Sequence, residues 1–185
     1  MLGFQASRVA VCCCQTLVVM ATAKTNYASA SDLSITLASL ASDTNLLAGA
    51  ESAAVDNTVD GRRDYWVSGK ITTGTSPTAS RQIEVWAVGS WDGTSWPDVF
   101  DGTASAETIS LASVKASVCR FVANMATTST SDEDYHFGPV LLSSVFGGDI
   151  PPKFVLFVTH NTGVALTATS GNHQIRLQPV YDTVS

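Results

Sequence analysis

Residues 81–103 read RQIEVWAVGSWDGTSWPDVFDGT, and this stretch decides the class of fold. Ile83, Val85 and Ala87 alternate with Gln82, Glu84 and Trp86. A period of two puts the first set on one face of a strand and the second set on the other. The run breaks at Trp91-Asp92-Gly93-Thr94, where Asp-Gly supplies the positive-φ positions of a tight hairpin turn. Pro97 and Asp101-Gly102 punctuate the chain again. The stretch predicts the centre of an antiparallel β domain, with an aromatic loop at one end of a strand.

The flanking segments extend this pattern. In residues 64–73, DYWVSGKITT, Tyr65, Val67, Gly69 and Ile71 share one face. A turn over 74–80 containing Pro77 then predicts that 64–91 form an antiparallel hairpin. Residues 28–40 read as a strand, because Ile35, Leu37 and Ser39 alternate with Ser34, Thr36 and Ala38; residues 51–61 read as a loop. A short strand or turn is expected over 107–113 and a strand over 118–126. An acidic loop follows, TTSTSDEDYHFG, and then an apolar strand over 140–146. Residues 153–160, KFVLFVTH, are continuously apolar through Val158, which predicts burial on both faces. After a turn at 161–163, residues 164–169 read as a second arm. The last strand covers 173–181, with Ile175, Leu177, Pro179 and Tyr181 on one face. Pro179 places that strand at an edge or ends its pairing. The sum is an all-β chain, an antiparallel β-sandwich or jelly roll of about seven to nine strands spaced roughly ten residues apart.

Composition narrows the function classes. The chain has 185 residues, 45% hydrophobic and 14% charged, so it is long enough for a core and too apolar for disorder. So low a charge suits a surface largely covered by partners. A net charge of -6 and a pI near 4.8 argue against nucleic acid as a partner. Cys12, Cys13 and Cys14 are consecutive and Cys119 stands alone, which gives neither a disulfide framework nor zinc-ligand spacing.

Residues 1–23 differ from the rest. Arg8 precedes VAVCCCQTLVVM, which exits through Ala21-Thr22-Ala23. This is an N-terminal arm, a signal-like segment, or an extension upstream of a start at Met20. It is too short for a membrane-spanning helix, and no membrane partner is expected. Residues 24–185 form a single β-sandwich domain.

No catalytic motif emerges. Asp132-Glu133-Asp134 lacks the alternating spacing of a Ca²⁺ loop and reads as a solvated tip. His136, His160 and His173 sit in separate segments without ligand spacing, although His160 and His173 flank a possible hairpin and could approach each other. Gly89-Ser90-Trp91-Asp92-Gly93 carries its serine one place too early for a nucleophile elbow. Cys119, inside a strand pattern, reads as a small buried hydrophobe. Glu84, Asp92, Asp98 and Asp101 lie near aromatics, as in a sandwich-fold hydrolase, but nothing answers them. The expectation is a protein that is not an enzyme, with no cofactor and no metal. Trp91, Trp96 and Phe100 are the candidate contact residues. They suit either stacking on sugar rings or anchoring a long loop or subunit contact.

TNYASASDLSITLASLASDTNLLAG (25–49), SGKITTGTSPTASRQIEVWAVGSWDGTSWPDVFDGT (68–103) and THNTGVALTATSGNHQIRLQPVY (159–181) resemble structural proteins encoded in tailed-bacteriophage genomes. The resemblance covers most of 20–181 and leaves the first 19 residues without a counterpart. It implies a capsid decoration (cement) protein of jelly-roll or sandwich fold on the virion's capsid surface. Its implied partners are the major capsid protein and copies of itself, as a dimer or trimer. The alternative is a carbohydrate-binding or tail-associated receptor-binding β-sandwich module using Trp91 and Trp96.

Overall fold

A computed structural model describes residues 23–184; apart from Ala23, the segment read as an arm, signal or extension lies outside them. The chain runs through β1 (Ala23–Tyr27), β2 (Ser31–Asp32), β3 (Ala48–Glu51), β4 (Val55–Asp56), α1 (Asn57–Asp60), β5 (Asp64–Thr72) and β6 (Gln82–Ser90). It continues through β7 (Ala106–Thr108), α2 (Ala112–Val118), β8 (Arg120–Ala126), β9 (Asp134–Leu141), α3 (Leu142–Phe146), β10 (Lys153–His160) and β11 (Gln174–Val184). These strands make two antiparallel sheets, and the all-β sandwich follows as expected. The first sheet has the order β1-β11-β5-β9, with β2 also on β11; the second has β7-β3-β10-β6-β8, with β4 also on β10.

The alternation read from the sequence sorts residues between two cores. Ile83, Val85 and Ala87 of β6, Val67 and Ile71 of β5, Leu156 and Val158 of β10, and Ile175 and Leu177 of β11 are buried in the core between the sheets. The opposite faces of β6 and β10 send Val88, Val155 and Phe157 outward into a second cluster with Phe100, Ile109 and Cys119. β10 is therefore buried on both sides, with Phe154 through Val158 all at 0% exposure. Each such aliphatic or aromatic side chain stabilises the fold by roughly 1.5–3 kcal/mol. Cys119 sits at 3% exposure, and burial pushes its thiol up to about 12, so it is the inert hydrophobe its strand pattern implied.

Strand pairing departs from the sequence reading in several places. β5 and β6 do not form a hairpin: β5 pairs with β11 and β9, while β6 pairs with β10 and β8. The connecting 73–81 segment crosses between the sheets, with Thr73 bridging to Leu166 and Thr78 N donating to Thr162 O. Alternation fixes which face a residue takes, but not which strand lies beside it. Residues 28–40 contribute only β2 and an isolated bridge from Ile35 to Ser52. The acidic loop is shorter than expected because β9 already begins at Asp134. The apolar run after it is mostly α3, capped by Gly147 at φ 90. Residues 164–169 pair only through the Leu166 bridge, so the 153–169 hairpin is absent.

Two irregularities have a local cause. In β8, Val85 faces Ala123 but Trp86 faces Phe121, so Val122 is an extra, bulged residue. The bulge resets the alternation. It puts Phe121 on the outer face beside Trp86, at 5.2 Å between ring centroids, while Val122 and Met125 enter the core. In β11, Pro179 lies in a central strand yet behaves as an edge residue. Its outer neighbour breaks between Tyr27, paired to Val180, and Ser31, paired to Leu177. The missing N–H faces that break, and Pro179 O still accepts from Ala28 N at 3.0 Å.

Candidate functional site

The candidate site belongs to the long connection from β6 to β8, which lies across the outer face of the second sheet. Its acidic residues staple the loop to itself. Asp92 Oδ1 accepts from Thr94 N at 2.9 Å and Ser95 N at 2.6 Å, and Asp98 Oδ2 accepts from Ser110 N at 3.0 Å. Asp101 Oδ1 accepts from Thr103 N at 2.7 Å. Hydrogen bonds from Ser95, through its side chain and its amide, and from Thr94 hold the Asp92 carboxyl well below the usual carboxylate range. The Asp-Gly pair expected to close a hairpin closes an Asx-type turn instead. Gly93, at φ 72, lets the chain double back before Trp96.

The three aromatic candidates separate. Phe100 is 4% exposed and packs edge-on against Phe157 at 5.5 Å, so it anchors the loop from inside the protomer. Trp96 is half-buried against the same outer cluster, beside Gly102. At φ 83, with an added Cβ only 3.1 Å from the Trp96 ring, Gly102 admits no side chain without a shift. Trp91 is 60% exposed and meets Phe146 of α3 edge-to-face at 6.1 Å. Trp91, Trp96, Phe146 and Val118 line an open groove of about 460 Å³, together with Asp92 and Arg120. Arg120 Nη1 donates to Ser117 O at 2.9 Å, and among the described residues no carboxylate pairs with it. Phe146 and Arg120 come from segments that carry no pattern linking them to the tryptophans.

Beside the groove lies a buried ionic lock that the sequence reading missed. Lys115 of α2, 7% exposed, reaches Glu84 Oε2 at 2.7 Å and Leu46 O at 2.6 Å. Its ammonium lies 4.7 Å from the centre of the Trp86 ring, whose Nε1 donates to the same Glu84 oxygen at 2.9 Å. Glu84 is thus committed to holding a helix. The only sequence signal was Val114 and Val118, spaced i and i+4.

The remaining polar candidates are used structurally. Asp134 pairs with Lys70 at 3.1 Å and accepts from Thr72 Oγ1 at 2.6 Å; Glu133 accepts from Tyr135 OH at 2.6 Å and from Thr128 Oγ1. Among the described residues, no group of three or more His, Cys, Asp or Glu side chains is placed to hold a metal ion. His160 is fully buried, its Nε2 donating to Leu40 O at 3.0 Å. His173 accepts from Thr72 N on Nδ1 and donates from Nε2 to Thr167 O. Burial lowers the pKa of both histidines.

Glu51 runs the other way. It is fully buried under the loop, with Oε1 accepting from Gly102 N at 2.7 Å and, among the described residues, no hydrogen-bond partner for Oε2. Burial pushes its carboxyl up to about 7, against the hydrogen bonds from Gly102 and Asp101. The folded value stands above the free value of 4.5, so the stability from Glu51 is present below 4.5 and is lost as pH rises through about 7. The histidines stand below 6.5, so their contribution is lost as pH falls from there. Glu51→Gln keeps the acceptor for Gly102 and removes the charge. It is expected to gain about 1–3 kcal/mol over the wild type between about pH 5 and pH 8. Urea unfolding of both proteins at the two pH values measures this, and a constant difference refutes it.

Compared with family models, with curated proteins and with solved structures, the chain matches none.

Proposed function

We propose that this chain is a structural virion protein that binds the outer surface of a phage capsid and stabilises it. One observation carries the reading. With β7 set aside, and with β1 and β2 taken as one interrupted edge on β11 and β3 and β4 as another on β10, the sheets run β2-β11-β5-β9 and β3-β10-β6-β8. That is the order expected of two Greek keys wrapped into a jelly roll, a course that recurs in viral capsid domains and lectins. Fold by itself does not assign function. The resemblance to tailed-phage structural proteins and the 14% charged content add support. A decoration protein needs many modest contacts repeated over a lattice, which give avidity without a single strong site. A closed dimer or trimer is its natural unit.

The test uses capsids assembled from major capsid protein alone. The purified chain is expected to co-sediment with them saturably and to raise their resistance to heat. Sedimentation of the free protein is expected to show a dimer or trimer. A chain that stays monomeric at high concentration and leaves capsids unbound sinks the reading.

A second reading, a carbohydrate-binding or receptor-binding β-sandwich, is favoured by one specific observation. Trp91 presents an indole at 60% exposure beside half-buried Trp96 in an open groove. Tryptophan is enriched among the residues that anchor binding surfaces.

A further inference from the structure

We propose that Glu51 is a pH-operated latch on the 100–105 turn: its neutral carboxyl holds the turn down beneath Trp96, and its ionisation releases it. The latch is independent of both readings of function, since it concerns how the loop is held and not what it touches.

Register sets the direction of the side chain. Glu51, the last residue of β3, lies opposite Phe157 of β10. Opposite residues of an antiparallel pair share a face, and Phe157 belongs to the outer cluster. The carboxyl therefore enters the layer between the second sheet and the 91–118 connection, where it is 0% exposed. There it grips the backbone of the turn. Oε1 accepts from Gly102 N at 2.7 Å and from Asp101 N at 3.3 Å. Glu51 N donates to Ser105 O at 2.8 Å, and Gly102 O accepts from Ala54 N at 2.8 Å. Gly102 in turn backs Trp96, whose ring would lie 3.1 Å from a Cβ at that position. The seat of Trp96 thus depends on what Glu51 holds.

This layer suits a neutral carboxyl and not a charged one. Among the described residues, Oε2 has no hydrogen-bond partner and no cation pairs with the carboxyl. Asp101 of the turn and Glu107 of β7 are further acids that oppose its ionisation. Asp98 of the same connection is turned to Ser110 N. Neighbouring cations are committed elsewhere: Lys153 of β10 to Asp56 at 3.2 Å, and Lys115 of α2 to Glu84. His160, at the end of β10, is bonded to Leu40 O and Thr162 Oγ1. A carboxylate here lacks both water and a counter-charge, which disfavours the charged form more than two amide donors favour it. Lifting the turn lets water reach Oε2. The ionised form therefore favours the lifted turn, and the neutral form the seated one.

Linkage fixes the sign and the window. The seated carboxyl titrates at about 7 and the free one at 4.5. Lifting is least favoured below 4.5, gains up to roughly tenfold per pH unit from there, and levels off above about 7.

Hydrogen exchange of the full chain, in wild type and Glu51→Gln, tests this. Comparing the two proteins at one pH cancels the intrinsic pH dependence of amide exchange. For amides of 101–105, the ratio of wild-type to variant rates is expected to grow by roughly thirtyfold or more between about pH 5 and about pH 8. These amides are also expected to exchange well ahead of those of β10, which open only with the whole fold. A ratio that stays constant overturns the latch. Exchange over 101–105 no faster than in β10 overturns it too, because Glu51 would then act on global stability alone. The wild type gives a second readout that needs no variant. The carbon-13 resonance of the Glu51 carboxyl is expected to titrate well above 4.5, and a midpoint at 4.5 sinks the proposal.

Discussion

Lys115→Ala is expected to lower folding stability by about 3–5 kcal/mol, because it breaks a buried ion pair from one side. The two side chains are 9% and 12% exposed, so neither charge has much water to return to. Losing the ammonium leaves Glu84 Oε2, among the described residues, with only the Trp86 Nε1 donor and leaves Leu46 O without its 2.6 Å partner. It also removes the cation from the Trp86 ring. Lys115→Met separates charge from packing, since it restores the apolar stem but still strands Glu84. The double variant Glu84→Gln, Lys115→Met removes the stranded charge, and it is expected to recover most of the loss. A buried pair replaced as a unit is often close to neutral, whereas half a pair is not. Urea denaturation of the wild type, Glu84→Gln, Lys115→Met and the double variant gives the coupling directly. A Lys115→Met variant as stable as the wild type would refute the ionic account and leave only packing.

This lock shows where sequence reading stops. Faces were legible: the alternations grouped Tyr65, Val67, Gly69 and Ile71 on one face and Ile83, Val85 and Ala87 on one face, and all of these except Gly69 are buried in the core between the sheets. The double burial of β10 was legible too, because five consecutive apolar residues leave no face for water. Partners were not legible. A strand's pattern records the environment of each face, while its neighbours depend on crossings such as 73–81 that carry no pattern of their own. The aromatic loop was recognised as a feature, yet its three candidates proved to be three different things. Phe100 anchors, Trp96 is divided between cluster and groove, and Trp91 faces water. What separates them is contact with Phe157, Gly102 and Phe146, all distant in sequence or hidden by a turn. α2 was missed because seven residues with two valines resemble a short strand as much as a helix.

The loop's shape is predicted to depend on one residue beneath it. Phe157 is fully buried on the outer face of β10, edge-on to Phe100 at 5.5 Å. On its other side it lies over Gly49, where an added Cβ would come within 2.6 Å of the ring. Nothing larger than glycine fits there, so the ring has a fixed seat. Phe157→Ala is expected to cost about 3–5 kcal/mol, as transfer free energy plus a cavity that Phe100 and Gly49 cannot close. Phe154→Ala is the matched control. It is equally buried but points into the core between the sheets, edge-on to Tyr65 at 5.4 Å. Both variants are expected to lose similar global stability, but only Phe157→Ala should release the 91–118 connection, because only Phe157 lies under it. Limited proteolysis under conditions where both variants are folded distinguishes them. Cleavage within 91–118 is expected to accelerate in Phe157→Ala and to stay near the wild-type rate in Phe154→Ala, since local opening follows the contacts that hold a segment down. Equal cleavage in the two variants would mean that the outer cluster does not seat the loop. The platform formed by Trp91 and Trp96 would then need a different support.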